Sequence, residues 1–283
     1  KVRGKGTFRA LTEKLPYIRE LGATAIELMP VNEFQEIVVR ESEWNPREVK
    51  GPQPTGQLNY WGYTGGYYYA PKASYSSGQK KKPVQEFKTF VREVHKAGME
   101  LVIELYFSGK ESPASVLDIV RFWVQEYHVD GIHLVGYVPE QLIGRDPYLS
   151  RTKLFATSWN GGEPGTSRHL AEYNDGFLVD MRKVLKGDED QIRPLMFRIG
   201  HNPKGYGVIN YMAHTNGFTM MDMVSFERKH NEANGEGNRD GSDYAAVGAD
   251  LYLMGGFSYN ANREEDNRLY LGTNLTKEMN AST

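Results

Sequence analysis

The chain has 283 residues, and its 39 % hydrophobic and 25 % charged content leaves room for a sizeable core under an ordinary surface. A formal net charge of −2 gives no electrostatic case for nucleic acid or an anionic membrane, and no apolar run approaches the roughly 18 residues that a membrane helix needs. The absence of cysteine excludes a disulfide framework and a thiolate metal site. The chain starts at Lys1 without an initiator Met or leader and so reads as a mature or excised segment.

In chain order, Phe8, Leu11, Leu15, Ile18 and Leu21 recur at three- and four-residue steps and predict one helix, stopped by Gly22. Ala25 to Val31 follows as a short buried strand. The segment from Asn32 to Lys82, rich in Gly, Pro and Tyr, is too long for a plain turn. Phe87, Phe90, Val91 and Val94 mark a second helix that ends at Gly98, and Glu100 to Phe107 reads as a second strand. Val116, Ile119, Val120, Trp123, Val124 and Tyr127 line a third helix, followed by a strand from Gly131 to Val135. Lys153–Ala156, Pro194–Ile199 and Val208–Met212 are the later strand candidates, with a helix around Asn174–Leu185. No convincing strand precedes Phe8, and none is clear after Asn234. Helices alternating with short apolar strands predict an α/β fold with a parallel sheet and right-handed crossovers. In such folds, loops at the carboxyl ends of strands carry the sites.

Several segments together resemble isoamylase-type debranching enzymes of the α-amylase family, glycoside hydrolase family 13. They are Gly6-Thr7-Phe8, Leu11 to Tyr17, Leu21 to Val31, Asn59-Tyr60-Trp61-Gly62-Tyr63, His95-Lys96-Ala97-Gly98, Tyr127 to Gly131 and, most specifically, Lys229 to Glu236 with Asn238, Asp240 and Gly241. The resemblance implies a (β/α)8 TIM-type barrel, here incomplete, because neither its first nor its eighth strand is evident. It covers roughly residues 4 to 243. Residues 1–243 are therefore expected to form a partial barrel, and 244–283 a divergent C-terminal segment.

Retaining cleavage of a glycosidic bond needs a carboxylate nucleophile and a carboxylic acid donor on opposite sides of the scissile bond. By resemblance the nucleophile falls at Val135, its supporting Arg at His133, the acid at Thr157 and the third carboxylate at Asn216. Val has no nucleophilic atom, Thr has no carboxylic proton, and an Asn amide has no useful acid-base chemistry. Glu104 stands at the right end of its strand but reads as an acid without a partner, while Glu27 reads as structural. Glu140 and Glu163 lie in loops. Asp130 starts its strand, on the stability face of a barrel. The connection Ser108–Pro113 is short and would leave a groove open to water.

Tyr60, Trp61 and Tyr63 occupy the loop that stacks sugars in active relatives and are the candidate substrate-binding residues. Tyr67, Tyr68 and Tyr69 read as loop packing. His128 and His230 lack ligand partners at short spacing, so no metal site is expected, and no cofactor either. The resemblance is strongest to the non-catalytic isoform-2 class of plant isoamylases. It implies a pseudoenzyme subunit in the plastid that binds branched α-glucan and a catalytic isoamylase in a hetero-oligomer. The alternatives are an active α-1,6-glucosidase and a stand-alone glucan-binding module.

Overall fold

The computed structural model describes residues 4–40, 53–78, 82–159, 169–186, 188–201, 203, 205–213, 220–226, 228–234, 237–239 and 241, with three two-residue strands beyond them. The chain divides into two compact units, Lys1–Glu172 with Lys204–Gly207 and Tyr173–Pro203 with Val208–Thr283.

The first unit opens with helices α1 (Phe8–Thr12) and α2 (Leu15–Glu20) and strand β1 (Ala25–Leu28). The single helix expected from Phe8 to Leu21 is broken in two. Pro16 lies in the first turn of α2, where its ring would clash with the Thr12 carbonyl of a continuous helix and it has no N–H to offer. Gly22, at φ +84°, then provides the expected left-handed stop. The long segment after β1 is not structureless. It builds β2 (Asn32–Phe34), β3 (Ile37–Arg40), β4 (Gln53–Leu58) and β5 (Gly66–Pro71), paired antiparallel as β2–β5 and β3–β4. Lys72, fully buried, bridges Glu33 at 3.2 Å and Glu36 at 3.3 Å and lies 3.7 Å from the Phe34 ring centre, which pins this excursion together.

Then come α3 (Pro83–Lys96), β6 (Glu100–Phe107), α4 (Pro113–Tyr127), β7 (Gly131–Gly136), α5 (Glu140–Gly144), β8 (Lys153–Ala156) and β9 (Leu170–Tyr173). The apolar stripes read from the sequence are the buried faces of α3 and α4. Phe87, Trp123 and Tyr127 interlock edge to face and tilted at 4.8 to 5.6 Å. The Trp123 indole N–H donates to the Tyr68 carbonyl at 2.8 Å, so α4 is fastened to β5. Strand β6 is buried along almost its whole length, as a strand covered on both faces must be.

The second unit holds α6 (Asp175–Lys186), α7 (Ile192–Ile199), most of β10 (Gly207–Ile209), α8 (Met220–Ser225) and a small antiparallel sheet of β11 (Leu251–Tyr252), β12 (Phe257–Ser258) and β13 (Leu269–Tyr270). The expected strand Pro194–Ile199 is a correction, since it lies in helix α7. Ile192, Met196 and Ile199 are spaced for a helix, and Pro194 is tolerated in its first turn. The fifth strand is instead β9, which the sequence hid because only Leu170 of its four residues is buried. Val208–Met212 shortens to β10. Asn238 accepts from the Asn231 N–H at 3.0 Å and donates to the Lys229 carbonyl at 3.2 Å, so the described part of the polar Lys229–Gly241 segment is hydrogen-bonded structure.

The main sheet has six strands in the order β1-β6-β7-β8-β9-β10, with parallel pairing from β1 through β9. A parallel sheet with helical crossovers and this strand order is a segment of a (β/α)8 barrel.

Candidate functional site

Three neighbouring strands of the first unit project polar side chains into one place. Glu104 of β6 stands opposite His133 of β7 in the parallel register, and Glu27 of β1 lies opposite Val102, two residues before Glu104 on β6. His133 Nδ1 is 2.7 Å from Glu27 Oε1 and 3.8 Å from Glu104 Oε1. The side chains of Glu104 and His133 are 3 % and 9 % exposed, and that of Glu27 is 26 % exposed. Burial raises the Glu104 carboxyl above the usual carboxylate range, and the neighbouring Glu27 adds to this. The Tyr63 hydroxyl and His133 work the other way.

Tyr63 reaches this cluster from the loop between β4 and β5, its hydroxyl donating to Glu104 Oε2 at 2.7 Å. Asn59 shapes that loop. Its side-chain oxygen accepts from the Gly62 N–H at 3.0 Å, and its own N–H donates to the Glu36 carbonyl at 2.7 Å. Gly62 has φ +79°, and a Cβ there would fall 2.7 Å from the Phe34 ring, so this position needs glycine. The two rings before it face outward. Tyr60 is 77 % and Trp61 46 % exposed, and they meet edge to face at 5.6 Å.

The positions to which the resemblance assigns catalysis carry no acid. Val135 is half-buried at the end of β7 and Thr157 is exposed just past β8. Gly136, the next residue after Val135, has φ +84° and no room for a side chain, because a Cβ would meet the Phe107 carbonyl oxygen at 2.3 Å. Asn216 and Glu163 lie outside the described residues. Glu140 begins α5 and is not one of the clustered carboxylates.

Two expectations need correcting. Glu104 is not an acid without partners, because Tyr63, His133 and Glu27 surround it. Glu27 is one of those partners and pairs with His133 at 2.7 Å. Tyr67, Tyr68 and Tyr69 do not pack alike: they lie on β5, whose alternation buries Tyr68 and leaves Tyr67 78 % and Tyr69 52 % exposed. Glu27, Glu104 and His133, drawn from three strands, place their ligand atoms within 4.8 Å of one another, a grouping that spacing along the sequence does not reveal. Two other expectations hold. Asp130 accepts from the Leu101 N–H at 2.8 Å and from His95 at 2.8 Å, a structural role at the start of its strand. The Ser108–Pro113 connection is a tight loop closed on itself, with Glu111 accepting from Tyr68, Ser108 and the Gly109 N–H.

No family profile matches the chain. The glycogen debranching enzyme of Serratia proteamaculans (strain 568) is 32 % identical over 84 % of this chain and 45 % of its own length. The chain is related to the isoamylase-type debranching enzymes. Isoamylase 3, chloroplastic, of Oryza sativa subsp. japonica is 28 % identical over 84 % of this chain and 39 % of its own length. The chain thus spans less than half the length of these isoamylase-type relatives. Among solved structures, the catalytic module of a multi-modular glycogen-degrading pneumococcal virulence factor superposes with a TM-score of 0.57 at 18 % identity, over 85 % of this chain and 43 % of that one. That likeness shows the fold.

Proposed function

We propose that this isoamylase-type barrel segment binds branched α-glucan without hydrolysing it and acts as a pseudoenzyme subunit beside a catalytic isoamylase. The observation that carries this is the chemistry at the strand ends: a half-buried Val135 and an exposed Thr157 stand where a retaining enzyme needs its two carboxyls. The nearby acids do not replace them. Glu27 and Glu104 face the same imidazole, at 2.7 and 3.8 Å, whereas retaining carboxyls stand roughly 5–5.5 Å apart with the sugar between them.

Binding has better support. Tyr60 and Trp61 present two mutually perpendicular rings to solvent on a loop braced by Asn59 and Gly62. Aromatic planes of this kind suit the C–H faces of pyranose rings, and holding them rigid lowers the ordering cost of binding. Plastid residence belongs to the same proposal, motivated by the plant relatives from rice and maize that are named chloroplastic.

The test is co-purification of the full-length protein with a catalytic isoamylase, followed by debranching assays and affinity electrophoresis in amylopectin gels. The expected result is a stable complex, retarded migration of this protein alone, and debranching only when the catalytic partner is present. Debranching by this protein alone at a rate typical of its relatives would overturn the proposal, as would migration unaffected by amylopectin.

A further inference from the structure

The Glu27–Glu104–His133 cluster has a property that glucan binding does not use. One imidazole faces two carboxylates, at 2.7 and 3.8 Å, in a place where two of the three side chains are less than a tenth exposed. Two carboxylates sharing one imidazole carry excess negative charge in a poorly solvated site, which is costly unless a cation or a proton compensates. The resemblance places Arg at this position of β7, and a guanidinium has no lone pair to offer a metal. His133 does.

We propose that Glu27, Glu104 and His133 form a binding site for one divalent transition-metal cation of the zinc class. The inference goes beyond the glucan-binding proposal and does not depend on it. Its first support is geometric. The three ligand atoms come from β1, β6 and β7 and already lie within 4.8 Å of one another. Bonds of about 2.0–2.1 Å in a tetrahedral site put ligand atoms roughly 3.3 Å apart, so the observed 2.7 and 3.8 Å separations need only small side-chain rotations to converge.

The second support is the donor set. Two carboxylate oxygens and one imidazole nitrogen suit zinc, cobalt or manganese, while calcium requires six to eight oxygens. A third support is the surrounding shell. The Tyr63 hydroxyl holds Glu104 Oε2 at 2.7 Å and so leaves Oε1 as the atom turned toward His133. Outer hydrogen bonds of this kind fix a ligand's orientation. Glu27 is the most exposed of the three, at 26 %. A bound dication would neutralise both carboxylates and tie Tyr63, and with it the Tyr60–Trp61 loop, to the sheet.

The test uses the full chain, stripped with chelator and titrated with zinc by calorimetry and with cobalt by visible absorption. The expected result is saturable one-to-one binding with the ligand-field bands of low-coordinate cobalt, together with a raised thermal midpoint. Binding should be weakened at least about tenfold in Glu27→Gln and abolished in His133→Ala. Should His133→Ala fail to fold, Glu27→Gln, at the most exposed ligand, carries the test, with circular dichroism as the check on its fold. The absence of saturable binding by the wild-type chain would overturn the proposal, and so would equal affinity in Glu27→Gln. Calcium should not compete, and effective competition would overturn the zinc-class assignment. Glucan affinity is read separately on the same samples, so either proposal can fail without the other.

Discussion

At the amino ends of β6, β7 and β8 the polar groups are locked. Asp130 gives its N–H to the Leu101 carbonyl and its carbonyl to the Lys153 N–H, both at 2.9 Å, and its carboxylate accepts from Leu101 and His95. At the carboxyl ends of β7 and β8, Val135 and Thr157 bring no charge, and the loop aromatics beyond β4 face solvent. The two ends of one sheet have come under different demands. The amino end must satisfy buried backbone groups whatever the protein does, because an unpaired buried donor costs about 1–3 kcal/mol. The carboxyl end must hold acids only if it performs chemistry, and the sheet forms with Val135 and Thr157 at those positions.

Substitutions can break or sharpen that contrast. The largest expected effect lies in the core that supports the sheet. Trp123→Ala removes a fully buried indole and its hydrogen bond to Tyr68, and urea unfolding should show a loss of about 3–5 kcal/mol. Next, Asp130→Ala should destabilise by about 1–3 kcal/mol through the orphaned Leu101 N–H, with no change in amylopectin retardation. Equal stability of this variant and the wild type would erase the distinction between the two ends.

Glu104 gives an intermediate and pH-dependent effect. Its carboxyl lies above the usual range because of burial, so the folded chain keeps a proton that the unfolded chain releases. The unfolded state then binds fewer protons, and stability falls as pH climbs from the ordinary glutamate value through the raised one. Glu104→Gln should remove this slope, so its stability relative to the wild type should improve as pH climbs above the ordinary glutamate value of about 4.5 in urea titrations. A parallel pair of pH profiles would show that Glu104 is not raised. The smallest effect is Trp61→Ala. It should weaken amylopectin retardation by about two- to tenfold, the scale of one aromatic contact, and leave the unfolding midpoint nearly unchanged.

Much of the fold was legible because periodicity survives in single elements. The stripes of α3 and α4 and the apolar run of β6 report burial directly. Strand β9 was hidden because a four-residue strand with one buried side chain has no period to read, and α7 was mistaken for a strand because its Leu-Met-Phe core is apolar under either period. At the site, Val135 and Thr157 could be placed by motif. The Glu27–Glu104–His133 trio could not, since its members are separated by 77 and 29 positions and meet only through strand order and register. Neither local spacing nor composition carries that information.

The proposal that the chain holds no hydrolytic carboxyl pair is tested most directly by the release of reducing ends from amylopectin. The purified full-length protein without a partner would be compared with its Glu104→Gln variant, which removes the buried carboxyl opposite His133. No release above the blank is expected from either. A rate in the wild type that disappears in Glu104→Gln would contradict the proposal, because it would show that the buried cluster performs the chemistry that Val135 and Thr157 cannot.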